Sequence, residues 1–435
     1  MASPQESSFW WRDADPPETA PDLPERDDVV VIGAGLSGLS CALGLAERGI
    51  SVTVIDSGKI GHGASSRSAG QVSGGVTTGK SLAGRKLPNS SPEQRRAMLR
   101  EAAGAMTFLE ETITRHAIDC DYQSTGRITA AWTPQHADEF GARIEELNTV
   151  TGAEASVLNK AETEAELGSR FYHGGLLIKR AAQLHPGKLA LGLAEAARRH
   201  GARLAGGTPA LRLERRPAGF RITTSRGPID AGAVVLATNG YRDGLDPYLK
   251  RRIIPVASHV VVTEEIPERI AAEIIPQRRS ISESRRVLNY FRFTPSGRRL
   301  LFGGRTRFYP ISPARAAMLL RRAMVERFPQ LKDVGIAHVW SGLVGLTFDA
   351  VPHIGAHDGL YHCVGCNGSG ISLMTHLGHA LSGKIAGDDR MPVSAFEASP
   401  FEGHRAYTGT PWFLPAVGSY LQVRDAIDRW RAPAP

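Results

Sequence analysis

The sequence has few cysteines and no long apolar run. Its four cysteines (Cys41, Cys120, Cys363 and Cys366) are too few for the disulfide framework of a secreted scaffold in a chain of 435 residues. No apolar stretch reaches the ~18 residues that a membrane-spanning helix needs. The first 25 residues lack the basic start and the apolar stretch of a secretory signal. We therefore expect a soluble, cytoplasmic protein without a membrane span.

Positive charge is in modest excess and is spread along the chain. Lysine and arginine together number 52 against 44 aspartates and glutamates, which gives a net charge of +8. Pairs of basic residues recur from Arg95-Arg96 to Arg321-Arg322 without one basic stretch, which is typical of a solvated surface. We therefore do not expect a nucleic-acid partner. The 42% of apolar residues allows large buried cores, and the length predicts roughly two to three domains.

The best-defined motif lies near the start of the chain. An apolar strand at 29–32 runs into Gly33-x-Gly35-x-x-Gly38, a helix follows at about 37–48, and a second strand at 51–55 ends at Asp56. This is the strand–helix–strand pattern that binds a dinucleotide, with the diphosphate at the helix start and the acidic residue on the ribose. A glycine turn without a ligand is the alternative. The predicted binding residues are Gly33, Ala34, Gly35, Leu36, Ser37, Gly38, Asp56 and Ser57.

A second glycine cluster lies late in the chain. A strand at 361–364 leads into Gly365-Cys366-Asn367-Gly368-Ser369-Gly370, and a helix follows to about residue 385. Glycines at such a junction let the backbone approach a ligand ring, and the helix start adds a partial positive charge. A tight turn without a ligand is the alternative. We find no second G-x-G-x-x-G, which argues against a separate nicotinamide-binding fold.

The loop after Asp56 carries a family resemblance. Its sequence, from Ile60 to Gln71, is IGHGASSRSAGQ. It is similar to the Gly-x-Gly-Ala-Ser-x-Arg-x-x-Gly-Gln loop of the D-amino-acid oxidase/glycine oxidase superfamily of FAD enzymes. Within that superfamily the chain most resembles the γ-glutamylputrescine oxidase branch. Further matching stretches are 9–11 (FWW), 286–292 (RVLNYFR), 300–304 (LLFGG), 328–331 (FPQL), 340–342 (WSG) and 365–370 (GCNGSG).

The resemblance implies FAD as the cofactor. The loop should run along the flavin ring, Ala210 should touch the adenine through its backbone, and the late glycine cluster should face the flavin. Relatives that tether the flavin use a cysteine or histidine. The segment 340–346 has no cysteine and Arg67 occupies the place of the tethering histidine, so non-covalent FAD is expected. The residues assigned in this way are Gly63, Ala64, Ser65, Arg67, Gly70, Gln71, Ala210, Gly365, Gly368, Ser369, Gly370 and Ile371.

The resemblance also implies amine oxidation. A neutral amine would pass a hydride to flavin N5, and the resulting imine would hydrolyse, so the protein supplies position and a dry pocket rather than a strong base. Arg292 lies where relatives place a carboxylate-binding arginine, and Arg305 is a second candidate. Either arginine could instead be a solvated strand residue. Tyr290 and Trp340 are expected as walls of the substrate pocket, with a place in the core as the alternative.

Metal binding is not expected. Cys363-x-x-Cys366 resembles half of a zinc or redox site, but the sequence holds no second pair that would complete it. His185, His259 and His353 have no metal-ligand spacing and are interpreted as structural.

Three functions follow from these patterns. The first is an FAD-dependent oxidase that acts on an amine or amino acid and passes electrons to oxygen. The second is a dehydrogenase that uses the same flavin and delivers electrons to a quinone or a partner protein. The third, from another class, is a flavin-containing module that binds or modifies RNA through the basic surplus, which the scattered arginines disfavour.

The expected fold is α/β, with a Rossmann-like FAD-binding domain built on a doubly wound sheet and an antiparallel-sheet substrate domain. An N-terminal arm covers residues 1–26. The FAD-binding domain is expected in three parts, at 27–110, 181–245 and 335–390, and the substrate domain in two, at 111–180 and 246–334. Residues 391–435 form a C-terminal extension without a predicted role.

Overall fold

A computed structural model describes residues 4–15, 21–74, 90–241, 244–397 and 399–432. The strands of this part of the chain are β1 (Arg26–Ile32), β2 (Val52–Ile55), β3 (Gln71–Val72), β4 (Arg127–Ala130), β5 (Ala155–Leu158), β6 (Gly175–Ile178), β7 (Ala182–Gln183), β8 (Arg203–Ala205), β9 (Ala210–Arg216), β10 (Gly219–Thr224), β11 (Gly227–Leu236), β12 (Ile254–Thr263), β13 (Ser280–Glu283), β14 (Asn289–Phe293), β15 (Leu300–Gly304), β16 (Ile336–Leu346), β17 (His353–His357) and β18 (Leu360–Val364).

The α-helices surround two large sheets. They are α1 (Leu36–Glu47), α2 (Pro92–Arg115), α3 (Pro134–Gly141), α4 (Ile144–Thr151), α5 (Lys160–Leu167), α6 (Pro186–Arg199), α7 (Pro247–Lys250), α8 (Glu268–Glu273), α9 (Pro313–Arg327), α10 (Gly370–Ala386) and α11 (Leu414–Arg431). Among the residues that the structure describes, none of these helices combines the length and the apolar character that crossing a membrane requires.

The first sheet has the order β17-β18-β11-β1-β2-β8, with β10 and β9 continuing from β11. β1 pairs in parallel with β2 and with β11, and the parallel set extends to β8 and β18. Because side chains alternate along a strand, Val29 and Val31 pack against α1, α6 and α10, while Val30 and Ile32 pack against β9–β11. The predicted α/β fold class is confirmed, although a three-stranded meander takes the place of helices on the second face.

The second sheet has the order β16-β12-β15-β14-β13-β4-β6-β5 and is antiparallel except where β13 pairs with β4. Helix α9 covers one face, where Phe291, Phe293 and Phe302 form its core. The other face, which carries Tyr290, turns toward the first sheet. β16 belongs to this sheet through its long pairing with β12. The boundary expected at residue 335 was therefore wrong, since the second sheet continues to Leu346.

Both ends of the described chain are tied to the body. The arm forms a 3₁₀ turn at Phe9–Arg12, and the indole of Trp10 is fully buried and donates to the Ser68 carbonyl at 2.8 Å. Near the other end, the Asp425 carboxylate on α11 accepts hydrogen bonds from the backbone N–H groups of Arg286 and Val287. Neither attachment has a local sequence pattern that would predict it.

Candidate active site

A cavity of about 650 Å³ lies between the two sheets. Its floor is made by the carboxyl ends of β1, β2 and β11 together with the starts of α1 and α10. Its roof comes from the second sheet. The roof side chains are those of Arg127, Ser258, Ser282, Tyr290 and Arg305. A ligand in this cavity therefore contacts the parallel sheet at the edge where α/β folds bind ligands.

The first glycine turn holds β1 and α1 at close approach. Gly33 has a φ of +112°, and a Cβ at this position would lie 2.7 Å from the Ala237 carbonyl oxygen. A Cβ on Gly38 would lie 1.9 Å from the Gly33 carbonyl oxygen. Both positions therefore need glycine for packing. Gly33, Gly35, Leu36 and Ser37 line the cavity, so the start of α1 opens onto it with its partial positive charge.

Asp56 lies at the end of β2 and organises two turns. Its carboxylate accepts a hydrogen bond from Ala34 N at 2.8 Å and another from Gly58 N at 2.8 Å. Asp56 and Ser57 both line the cavity beside the glycine turn. This is the position at which an acidic residue meets a ribose in dinucleotide-binding folds.

The loop 62–71 is held from both domains. Ser65 Oγ accepts a hydrogen bond from Leu36 N at 3.0 Å, which ties the loop to the start of α1. The Arg67 guanidinium donates to the carbonyls of His62 and Ser341, each at 3.0 Å. At its end, Gln71 Nε2 donates to two carbonyls of the second sheet at 3.2 Å. These bonds fix the loop along one side of the cavity.

Asn239 positions the late glycine cluster, and sequence reasoning missed it. It adopts a φ of +48° directly after β11, and its Oδ1 accepts from Gly365 N at 3.0 Å and from Cys366 N at 3.2 Å. A Cβ on Gly345 would lie 2.3 Å from that same oxygen. The only available signal was the polar Thr-Asn-Gly that follows a buried strand.

Most of the predicted binding residues line this one cavity. Ala34, Gly38 and Gly365 do not, and their roles lie in the turns themselves. The predicted residues that line it are Gly33, Gly35, Leu36, Ser37, Asp56, Ser57, Gly63, Ala64, Ser65, Arg67, Gly70, Gln71, Ala210, Tyr290, Gly368, Ser369, Gly370 and Ile371.

The prediction that Arg292 binds a substrate carboxylate was wrong. Its side chain is fully buried, with Nε donating to the Ala69 carbonyl and Nη2 to the Leu184 carbonyl, both at 2.6 Å. The guanidinium also lies 5.2 Å from the ring of Trp10 and does not line the cavity. Arg292 therefore joins the loop 62–71 to the segment before α6.

Trp340 is also not a wall of the cavity. Its indole packs with Phe9 and Trp10, and its Nε1 donates to the Arg67 carbonyl at 2.9 Å. Tyr290, in contrast, lies in the roof, where its hydroxyl and Ser258 Oγ are 2.9 Å apart. Burial raises the pKa of Tyr290, so the phenol is neutral at physiological pH.

Arg305 places a buried positive charge in the roof of the cavity, next to the late glycine cluster. It is 5% exposed, and a Cβ on Gly368 would lie 3.1 Å from its Nη2. Within the described part of the chain, no carboxylate forms an ion pair with it. Burial lowers its pKa, yet an arginine stays cationic at neutral pH. The cavity therefore contains a buried positive charge that suits an anionic ligand group.

The residues around the cavity fit FAD. Two helix starts face it, at Leu36 and at Gly370, and the backbone of the first glycine turn lines it, as binding of a diphosphate requires. Asp56 and Ala210, which are expected at the ribose and at the adenine, both line the cavity. Cys366 of the late glycine cluster also lines the cavity, so the cavity contains a thiol although the segment 340–346 has no cysteine.

Among the described residues, one group of potential metal ligands lies away from the cavity. Glu47, His116 and His200, at the ends of α1, α2 and α6, bring their ligand atoms within 4.8 Å of one another. No sequence spacing predicted this grouping. Cys363 is buried with a pKa well above its ordinary value because of burial, which does not suit a zinc ligand.

Comparison with known proteins gives consistent results. A family model described as FAD dependent oxidoreductase matches residues 28–383. The chain is 32% identical over 382 residues to a probable oxidoreductase, OrdL, of Rhizobium meliloti, covering 86% of this chain and 88% of that protein. It is 30% identical over 406 residues to γ-glutamylputrescine oxidoreductase of Escherichia coli, covering 92% and 93%.

A solved structure agrees in fold. Glycine oxidase from Geobacillus kaustophilus superimposes with a TM-score of 0.71 at 24% identity, covering 88% of this chain and 99% of that one. The family model spans both glycine clusters and both sheets. The chain therefore belongs to the family of FAD-dependent oxidoreductases.

Proposed function

We propose that this FAD-dependent oxidoreductase oxidises a C–N bond of an amine that carries a carboxylate. The observation that carries the proposal is Arg305, a buried cation in the roof that has no acidic partner among the described residues. An unpaired buried charge is costly unless a ligand compensates it. A substrate carboxylate would provide that compensation through two parallel hydrogen bonds.

The lining gives the substrate a defined orientation. Arg305 would hold the carboxylate, and the Tyr290 and Ser258 hydroxyls would lie against the chain that leads to the amine. Both hydroxyls are neutral and already share a hydrogen bond, so they can position a polar group without removing a proton. Orientation of this kind contributes a large part of the rate in reactions that need no strong base.

No lining carboxylate is free to act as a base on the substrate. Asp56 is the one acidic residue among the described lining residues, and it accepts hydrogen bonds from Ala34 and Gly58 in the first glycine turn. The amine must therefore enter neutral or lose its proton to water. FAD, which Gly33, Gly35, Asp56 and the late glycine cluster would hold, would supply the acceptor for a hydride from the carbon next to nitrogen, and hydrolysis of the resulting imine would give a carbonyl compound and the freed amine.

The experiment compares Arg305→Gln with the matched control Arg307→Gln. Arg307 is two residues away, bonds the Thr306 carbonyl and Gln422, and does not line the cavity. The readout is the rate of anaerobic flavin reduction against the concentration of N-alkyl amino acids. Losing a charge-assisted bond costs about 1.5–3 kcal/mol, so Arg305→Gln should raise the half-saturating concentration roughly 10- to 150-fold.

The control variant should leave both the limiting rate and the half-saturating concentration unchanged. Equal behaviour of the two variants would refute the proposed role of Arg305. Admitting air after reduction then separates the two candidate acceptors, because rapid reoxidation indicates an oxidase and slow reoxidation indicates a dehydrogenase that uses a quinone or a protein.

A further inference from the structure

Arg127 is a second buried cation on the same cavity. It begins β4 and is 6% exposed, and its Nη2 donates to Ser282 Oγ at 2.7 Å. Its Nε has no hydrogen-bond partner among the described residues. Burial lowers the pKa of Arg127 to about 10, so the guanidinium is still charged at neutral pH, and no acidic group contributes to the shift.

Two other buried arginines, Arg327 and Arg292, each make several hydrogen bonds within the protein. Arg327 forms an ion pair with Glu283 at 2.6 Å, and Arg292 donates to two backbone carbonyls. Among the described residues, one neutral hydroxyl is the single hydrogen-bond partner of Arg127. Because an uncompensated buried charge destabilises a fold, and because Arg127 lines the cavity, the missing partner is expected in the ligand.

The strand register separates Arg127 from Arg305. In the roof β4 lies beside β13, β13 beside β14, and β14 beside β15, with Ser282 opposite Tyr290 and Tyr290 opposite Gly303. Three strand spacings of ~4.8 Å separate the two backbones by about 14 Å across the sheet. They are also offset along the strands, because Arg127 pairs with Ser280 on one side of the Ser282–Tyr290–Gly303 row and Arg305 lies on the other side. Tyr290 lies between them, so one small carboxylate cannot occupy both guanidinium sites.

We propose that Arg127 binds a second anionic group of the substrate, so that the preferred substrate is an elongated amine with a carboxylate at each end. This inference rests on the proposed function and deepens it. Arg305 would hold one carboxylate and Arg127 the other, with the reacting C–N bond between them beneath Tyr290. Such a pair of charges rejects a monocarboxylate of the same length, because one buried guanidinium would stay unpaired.

The test uses ligands that cannot be oxidised. The holoenzyme is titrated with straight-chain α,ω-dicarboxylates of increasing length and with monocarboxylates of equal length, and binding is followed by the change in the flavin absorption spectrum. We expect one dicarboxylate length to bind at least about tenfold tighter than its monocarboxylate, which corresponds to one hydrogen-bonded charge. R127Q should abolish that preference, and R127K should keep part of it.

Each outcome bears on a different step. The second anion site is refuted if the unmodified enzyme binds mono- and dicarboxylates equally. It is also refuted if R127Q weakens the binding of all ligands alike and shifts the flavin reduction potential, and in that case Arg127 serves the flavin. In both cases R305Q would still weaken every carboxylate, and the proposed function would stand. If no carboxylate perturbs the flavin and R305Q changes nothing, the proposed function itself fails. FAD content and circular dichroism show whether each variant is folded.

Discussion

The substitution Gly38→Ala tests the role of the first glycine turn in cofactor binding. The added methyl would lie 1.9 Å from the Gly33 carbonyl oxygen, whereas real Cβ contacts are essentially never closer than 3.0 Å. The turn and α1 must therefore move apart by about 1 Å. Both atoms in this clash belong to backbone or Cβ positions, so no side-chain rotation relieves it.

The magnitude follows from where the strain is released. In the apoprotein we expect the turn to relieve this clash by shifting away from α1, and we expect FAD binding to require the close approach seen in the structure. Overpacking of this kind costs about 1–3 kcal/mol, and the cost then falls on binding. The dissociation constant for FAD should rise roughly 5- to 150-fold.

The assay is titration of the apoprotein with FAD, followed by the quenching of flavin fluorescence. Gly104→Ala is the matched control because Gly104 also lies in a helix and a Cβ there meets nothing within 4 Å. That control should bind FAD normally and gain up to about 1 kcal/mol of stability. Wild-type affinity in Gly38→Ala would refute the assignment of this turn to the diphosphate.

Three further predictions follow from the same structure. Trp11→Ala should weaken FAD binding about tenfold in the same titration, since the indole stacks on His62 and bonds Ser66 Oγ, while the 72%-exposed Trp412 serves as a neutral alanine control. Arg292→Met should lower the free energy of unfolding by about 3 kcal/mol in denaturant, because two buried carbonyls lose their donors, yet leave the apparent affinity for substrate unchanged. The free energy of unfolding should fall as pH drops from 6.5 toward 4, because the unfolded chain takes up protons on histidines that burial keeps neutral in the folded protein. Burial lowers the pKa of four histidines to about 4, namely His185, His259, His362 and His379. An unfolding free energy that does not change over this pH range would contradict the prediction.

The floor of the cavity could be predicted from sequence because its signals are local. Fewer than 30 residues contain the first glycine turn, the strand before it, the helix after it and Asp56 at the end of the next strand. The second cluster has the same strand–glycine–helix order around Gly368. In both places the chain itself brings the groups together, so no distant contact has to be known.

The roof could not be predicted because distant segments decide which part of a strand faces the cavity. Tyr290 and Arg292 are two residues apart on β14, so they share a face, as alternation predicts. Yet the stretch of that face at Arg292 is covered by the carbonyls of Ala69 and Leu184 and by Trp10 of the arm. Only the folded chain shows that the cavity begins at Tyr290.

The role of Arg127 could not be predicted from the sequence for the same reason. No motif surrounds it, and the only signal is a charged residue that begins a strand of otherwise small and apolar residues. Its importance depends on the absence of an acidic neighbour among the described residues, which is a property of the tertiary structure. The C-terminal helix α11 is a similar case, since its anchor Asp425 binds a loop more than 100 residues earlier.

The most direct test of the account is the visible absorption spectrum of the purified protein, recorded without oxygen before and after addition of an amine that carries carboxylates. The account predicts a yellow protein whose flavin absorption is bleached by the carboxylated amine and not by its ester, because only the free carboxylate compensates Arg305. A colourless protein that binds no added FAD, or a flavin reduced equally well by the ester, would contradict it.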